Sequence, residues 1–435
     1  MRNKFSYKID DFDELIAKLI YYTKDYKFSC LLHSNISNMK VPKKYYQYDA
    51  IFAFDSIKSI KSNNDSLNKL QSFHNKEKDW LFGYLSYNLK NEIYDLSSNN
   101  IKNIEVDNLT FFIPKHVFLI KNNNLYIESI YSKDMINILY SEIMKQKVLE
   151  LASKEIKLKR RDSKKSYLEK IGRIKENIQR GDIYEMNFCQ EFYQKNAIVS
   201  PQKLFLNLNK ITESPFASFL MIDNISLIGA SPERYLLKDK NTVISQPIKG
   251  TSKRSLNAKE DNLLVNKLKN SPKDLSENIM IVDLVRNDLS ITALNSSVNV
   301  DKLCGVYTFN NVHQMISTVS SKVKTNTSFT DIIRTSFPMG SMTGAPKFRS
   351  MNLIEKYETT KRGLFSGSVG YVTPSADFDF NVVIRSLLYD AKSKYLSVSV
   401  GGAITCQSDA EEEYEECLIK VKPIFESLKF VLDEK

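Results

Sequence analysis

Between residues 183 and 251 the chain passes through strand-like stretches in close succession: IYEMNFCQEFYQ, PFASFLMID, ISLIGASPERYLLK and NTVISQPIKGT. Each is short, rich in β-branched and aromatic residues, and bounded by turn formers such as Gly181-Asp182, which is the pattern of paired strands. Further strands are expected at GSVGYVTP, FNVVIRSLLYD and YLSVSVGGAIT. Helical spacing gathers elsewhere, at 167–179, 258–270, 274–285, 330–336, 346–359 and 411–432. Strands in runs and helices in clusters predict an α+β fold with mainly antiparallel sheet, not a parallel βαβ series. No glycine-rich loop follows a strand, so nucleotide binding is not indicated.

The first 150 residues are built differently. A helical opening at 12–26 precedes β-like runs at 29–35, 49–55, 80–89, 110–120 and 124–131. A connecting helix is expected over 134–157, with Ile136, Leu139, Ile143, Val148 and Leu151 at helical spacing. Three parts are therefore expected: an N-terminal α+β region at 1–150, a basic linker at 151–165 and a main domain at 166–430.

A composition of 42% hydrophobic and 26% charged residues is that of a globular chain with a sizeable core. The N-terminus lacks the apolar stretch of a secretory signal, and no run approaches the ~20 apolar residues that span a bilayer, so a cytoplasmic protein without membrane contact is expected. Five dispersed cysteines and four isolated histidines argue against a disulfide framework and a zinc site. The net charge of +11 is spread along the chain. Its one basic cluster, KLKRRDSKK at 157–165, lacks interleaved aromatics and reads as a solvated linker face, so no nucleic-acid partner is expected.

Several constellations could carry chemistry. Glu413, Glu416 and Lys420 share one helix face, and Asp274 and Glu277 form another i, i+3 pair. Facing each other, the two pairs could hold Mg²⁺ through oxygen ligands; separately, they could be solvated helix surface. Lys249, between a proline and a glycine in SQPIKGT, is either a surface lysine at a turn or a nucleophile whose pKa burial has lowered. GSMTGAPK at 340–347 places Ser341 and Thr343 before a helix, with Pro346 suited to its first turn. It is either a capped helix start or a seat for a carboxylate. Gly401-Gly402-Ala403 permits close approach to a ligand or to a neighbouring strand. Arg385, embedded in VVIRSLL, needs an internal acid or a substrate carboxylate.

Taken in order, GDIYEMNFCQEF, GASPERYLL, QPIKGT, ENIMIVDLVRND, VHQMISTV, FPMGSMTGAPK, RGLFSGSVGY, FDFNVVIRS and GGAIT with SDAEEEYEECLIK resemble the chorismate-binding enzyme family over about residues 180–425. The N-terminal segments CLLHSN, YDAIFAFD and WLFGYLSYNLK are similar to the partner-contacting half of its amine-forming members. The resemblance implies two packed, mainly antiparallel sheets flanked by helices, with chorismate as substrate. It implies that Glu277 and Glu416 hold Mg²⁺ with Asp274 and Glu413 nearby or acting through water. Substrate carboxylates are expected at Arg385, Lys420, Ser341 and the Gly401–Ala403 backbone.

Three positions select among the family's reactions. Lys249 in PIKGT, where anthranilate-forming and water-adding members usually carry alanine, implies covalent attack at C2 of chorismate and loss of the C4 hydroxyl. Ammonia then enters at C4 and expels the lysine, giving 4-amino-4-deoxychorismate. Glu233 is the expected acid for the departing hydroxyl, with a pKa raised by burial. Glu185 departs from both the lysine of water-adding members and the glutamine of amine-forming ones; a carboxylate there could hold ammonium or take a proton from it. Gln314 stands where anthranilate synthases commonly have a histidine linked to pyruvate elimination, and its neighbour His313 is expected to point elsewhere. Phe365 replaces a frequent tyrosine and Ala403 a frequent glycine. With no glutamine amidotransferase segment recognised in the sequence, ammonia is expected from a separate glutamine amidotransferase subunit or from solution.

Overall fold

The structure is a computed structural model that describes residues 2–36, 43–148, 156–309 and 312–429. Among these, twenty strands join in one hydrogen-bonded network, and every ladder between them is antiparallel. Two branches diverge from the long strand Leu109–Lys121. One passes through Ala50–Ser62, Phe28–His33, Phe216–Ile222, Ile225–Ser231, Ser386–Asp390 and Tyr395–Ile404 to Glu185–Gln194. The other passes through Leu81–Leu85, Ser368–Val372, Phe378–Asn381, Arg234–Asp239 and Thr242–Gln246 to Val312–Lys322. Ile248–Lys253 and Asn299–Thr308 also pair with Val312–Lys322. The α+β class with antiparallel sheet expected from the sequence is therefore present.

Strands of the first 150 residues pair with later ones in both branches: Phe28–His33 with Phe216–Ile222, and Leu81–Leu85 with Ser368–Val372. The largest apolar cluster likewise mixes Leu19, Phe54 and Phe118 with Phe188, Phe219 and Tyr414. Burial of this continuous apolar surface is the main stabilising term of such a fold.

Two helices carry the acids. Pro272–Ser290 begins with Pro272 in its first turn and Ser271 as cap, the Ser271 side chain accepting from the Asp274 N–H. Ala410–Ser427 is capped by Asp409, which accepts from the N–H groups of Glu411 and Glu412. Helix Pro272–Ser290 packs on Val312–Lys322 and Ile248–Lys253, and Ala410–Ser427 packs on Tyr395–Ile404.

Local expectations are corrected in several places. The connecting helix is Lys133–Lys145, and residues 149–155 lie outside the described part. The 80–89 run gives only the strand Leu81–Leu85 before a 3-10 turn and a short helix. FNVVIRSLLYD splits into Phe378–Asn381 and Ser386–Asp390, leaving Arg385 between them at φ +50°. Within the basic cluster, Lys159–Arg160 adds a two-residue strand to Glu185–Gln194, and Arg161 pairs with buried Glu191 and lies over the Tyr193 ring. Charge alone gave no sign of those partners. Helices Ser66–Glu77 and Pro201–Thr212 and strands Asn3–Lys8 and Asn299–Thr308 carried no expectation.

Candidate active site

Lys249 leaves strand Ile248–Lys253 just before Gly250, whose φ of +89° turns the backbone as only glycine does readily. The lysine is buried, and its Nζ donates to Glu185 Oε1 at 2.6 Å. Side-chain exposure is 9% for the lysine and 1% for the acid, so water screens the pair little. The expectation of a lowered lysine pKa is corrected. Burial pushes the ammonium down, but the carboxylates of Glu185, Glu277 and Glu233 outweigh it and hold Lys249 above the ordinary lysine value.

Glu185 opens strand Glu185–Gln194 and is fully buried. The GSMTGAPK segment fixes it there: Ala345 pairs with Glu185 and Gly344 with Met186. A Cβ on Gly344, which sits at φ +144°, would lie 2.1 Å from the Glu185 carbonyl oxygen. That segment is thus a 3-10 turn at Gly340–Met342 and a strand pairing at Gly344–Ala345 that lead directly into helix Lys347–Tyr357. Pro346 follows a cis peptide bond and caps helix Lys347–Tyr357 from outside. The second Glu185 oxygen, Oε2, is buried with no hydrogen-bond partner.

Glu233 is buried beside the pair and accepts from Ser341 Oγ at 2.6 Å. Burial pushes its pKa up to about 7 against the opposing pulls of Ser341, Lys249 and Arg385. A carboxyl so tuned holds its proton near neutral pH and can give it away.

The acids expected at a metal face each other across the two helices. Burial, with Glu185 and Glu413 adding to it, pushes Glu277 up to about 7 against Lys249 and Lys273. Its Oε1 is buried and unpartnered. Glu413 is buried and accepts from Lys273 at 3.0 Å and from Ser408 at 2.7 Å. Glu416 is half-exposed and held below the usual carboxylate range by Lys420, 2.6 Å away. Asp274 is half-buried and packs on Gly250. Among the described residues, no three His, Cys, Asp or Glu side chains are drawn together closely enough to hold an ion as they stand. The donor set nevertheless fits a hard divalent cation: all oxygen, several carboxylates in one field, one buried oxygen lacking any partner.

Gly401 and Gly402 differ in what they allow. A Cβ on Gly401 would strike the Phe188 carbonyl oxygen at 2.2 Å, which is strand-to-strand approach. One on Gly402 would face Glu413 Oε2 at 3.1 Å and Lys420 Nζ at 3.7 Å, so this glycine borders the acids. Lys420 also donates to the Gly401 carbonyl at 3.0 Å, and Ala403 pairs with Asn187. Phe365 is buried in an apolar cluster with Phe337, Met339 and Met342. Arg385 and Lys420 line one pocket together with Gln314, Pro232 and Phe309.

Two contributors escaped sequence reasoning. Lys273 stands in the first turn of its helix, where the macrodipole disfavours a cation. That misplacement was the available signal that it answers an acid elsewhere. Arg362 and Glu358 form a buried pair at 2.6 Å; Arg362 donates to the carbonyls of Met342 and Asn187, and Glu358 accepts from the Cys189 N–H. This pair ties the Glu185 strand to the Ser341 turn.

A buried lysine–carboxylate pair, a carboxylic acid raised to about 7 and a field of oxygen donors thus lie together between two branches of antiparallel sheet. The chain belongs to the chorismate binding enzyme family, whose model matches residues 36–426. It is 34% identical over 416 residues to the probable chloroplastic aminodeoxychorismate synthase of Oryza sativa subsp. japonica, covering 82% of this chain and 45% of that protein. It is 36% identical over 267 residues to aminodeoxychorismate synthase component 1 of Escherichia coli K12, covering 61% and 58%. The chain thus spans about half the length of these curated relatives. Its fold matches anthranilate synthase component I from Streptococcus pneumoniae TIGR4 with a TM-score of 0.77 at 24% identity, over 86% of this chain and 91% of that one. The menaquinone-specific isochorismate synthase from Escherichia coli matches with a TM-score of 0.76 at 14% identity, over 98% and 94%.

Proposed function

We propose that this protein aminates chorismate at C4, as an aminodeoxychorismate synthase component 1, on the route to p-aminobenzoate and folate. The observation that carries this reading is the buried Lys249 amine, held 2.6 Å from Glu185 with Glu233 beside it. The names of the relatives in Oryza sativa and Escherichia coli agree with it.

In this reading Glu185 takes a proton from the Lys249 ammonium, and the freed amine forms a bond to C2 of the ring. Glu233 gives its proton to the C4 hydroxyl, which departs as water while the ring double bonds shift. Ammonia, delivered by a separate glutamine amidotransferase, then bonds to C4 as the C2–N bond breaks and Lys249 leaves as an amine. The new ammonium returns one proton to Glu233, and Glu185 returns the other to Lys249, so the site is restored. The net change is chorismate plus ammonia to 4-amino-4-deoxychorismate plus water. Glu277 and Glu416, with Asp274 and Glu413 nearby, would hold Mg²⁺, which when bound neutralises the ring carboxylate. Ser341, Arg385, Lys420 and the Gly401–Ala403 backbone would receive carboxylate oxygens.

Among the described residues no helix is long and apolar enough to cross a membrane. All five cysteines are free thiols, which suits the reducing cytoplasm we propose as its location. The test is the product. With chorismate, Mg²⁺ and an ammonium salt, chorismate should be consumed and p-aminobenzoate should appear only after a lyase is added. Direct formation of fluorescent anthranilate would overturn the proposal.

A further inference from the structure

The acids on helices Pro272–Ser290 and Ala410–Ser427 already have two cations among them, and the two are held differently. Lys420 bonds Glu416 at 2.6 Å within its own helix and also donates to the Gly401 carbonyl at 3.0 Å, so it keeps its place when one bond is lost. Lys273 crosses from the other helix, and its Nζ lies 3.0 Å from Glu413 Oε1. That acid is its only side-chain hydrogen-bond partner among the described residues. The pair is lopsided. Glu413 is 2% exposed at its side chain and has a second donor in Ser408 at 2.7 Å, so it is fixed in the protein. Lys273 is 37% exposed and sits in a first helical turn that disfavours a cation, so its ammonium can leave for water at little cost. The charges also converge. A Cβ on Gly402 would have Glu413 Oε2, Lys420 Nζ and Glu416 Oε1 at 3.1, 3.7 and 3.8 Å. With buried Glu277 added, carboxylates gathered this closely repel one another unless positive charge stands among them.

We propose that Lys273 is a displaceable counter-ion of this acid field. It neutralises Glu413 while no metal is present, and an arriving divalent cation drives it from Glu413 into solvent. The force is simple repulsion between the ion and an ammonium a few ångströms away, against a contact that is already half in water. Two consequences follow from one residue. The metal-free protein keeps its acids assembled, and its affinity for the cation is lowered by the charge that must move. Lys273 therefore sets how much Mg²⁺ the protein needs, without itself touching the ion. The inference rests on the Mg²⁺ site proposed above.

The experiment titrates the full chain with MgCl₂ alone, without chorismate, by calorimetry. Lys273→Met and Lys273→Gln each remove the charge, and Lys273→Arg keeps it. Both neutral variants are expected to bind Mg²⁺ roughly tenfold more tightly than the unaltered protein, with Lys273→Arg within about twofold of it. In the absence of divalent cation the neutral variants should melt roughly 1–3 °C lower, because Glu413 is left buried with one donor fewer. Saturating Mg²⁺ should close that gap, since the lysine has already left Glu413 in the loaded protein. Unchanged Mg²⁺ affinity in the neutral variants would reduce the pair to an ordinary surface contact and overturn the proposal. Weaker Mg²⁺ binding would overturn it as well, because Lys273 would then be supporting the ligands and not opposing the ion. Failure of the unaltered protein to bind Mg²⁺ at all would instead overturn the metal site, and this inference with it.

Discussion

Replacing Glu185 by Gln keeps the shape of the side chain and removes its charge, leaving the Lys249 ammonium buried beside an amide. At exposures of 9% and 1%, breaking such a pair costs about 3–5 kcal/mol, because the surviving charge has lost its counter-ion. Unfolding entropy of about 2.1 cal/mol/K per residue over 435 residues gives about 0.9 kcal/mol per kelvin, so the melting temperature should fall by about 3–6 °C. Lys249→Met should cost a similar amount by stranding Glu185. The double variant removes both charges and should recover most of the loss, giving a coupling of about 2–4 kcal/mol in a double-mutant cycle read by urea unfolding. The pH dependence has a definite sign. In the native protein the lysine is held above its ordinary 10.5, so its contribution is complete below 10.5 and is lost as pH rises through the higher folded value. With Glu185 gone, burial is the largest influence and favours the neutral amine. The Glu185→Gln deficit should therefore narrow as pH approaches 10.5. A coupling below about 0.5 kcal/mol, or a deficit that does not change with pH, would refute the reasoning that these groups share one unscreened proton.

Two further perturbations separate the acids from the scaffold. Glu277 is raised to about 7 from an ordinary 4.5, so the folded state prefers its neutral form. Its stabilising preference is complete below 4.5 and is lost as pH rises through 7, so Glu277→Gln should match wild type near pH 4. Without divalent cation the variant should become more stable by on the order of 2–3 kcal/mol above pH 7, and it should lose the Mg²⁺-induced rise in melting temperature; an unchanged Mg²⁺ response would remove Glu277 from the ligand set. Gly344→Ala forces a Cβ to within 2.1 Å of the Glu185 carbonyl oxygen at a φ of +144°, so the pairing that seats Glu185 must shift. Turnover should fall at least a hundredfold with secondary structure by circular dichroism retained, and near-wild-type turnover would show that the seat is not required.

How far the sequence led depended on the range of the forces involved. Period-2 runs such as YLSVSVGGAIT and FASFLMI reported their own strands, because alternation is local and each run carries it whole. The i, i+3 acids Asp274/Glu277 and Glu413/Glu416 were legible for the same reason, each pair lying on one turn of one helix. Ordered motifs then supplied the placement that spacing could not, since Lys249 by itself looks like any lysine at a turn. What stayed hidden is what depends on residues far apart in sequence. The Lys249–Glu185 contact spans 64 positions and Ser341–Glu233 spans 108, and no local pattern reports either.

The lysine pKa is the instructive miss. The proline–glycine flanks left a surface lysine and a buried one both open, and for the buried one the expected effect of burial had the correct direction, but the net sign was set by carboxylates delivered from three other places: the strand at Glu185, the helix at Glu277 and the loop at Glu233. A buried lysine with no neighbours would be a free nucleophile in the resting protein. In the proposed reaction this one would be a guarded nucleophile, charged until a base in contact takes its proton, and Glu185 is the carboxylate bonded to it. Glu185 has zero exposure, and the Lys249 amine is the charge paired with it. Lys249 and Glu185 are therefore one electrostatic unit, and a change at either position should be read only against the other.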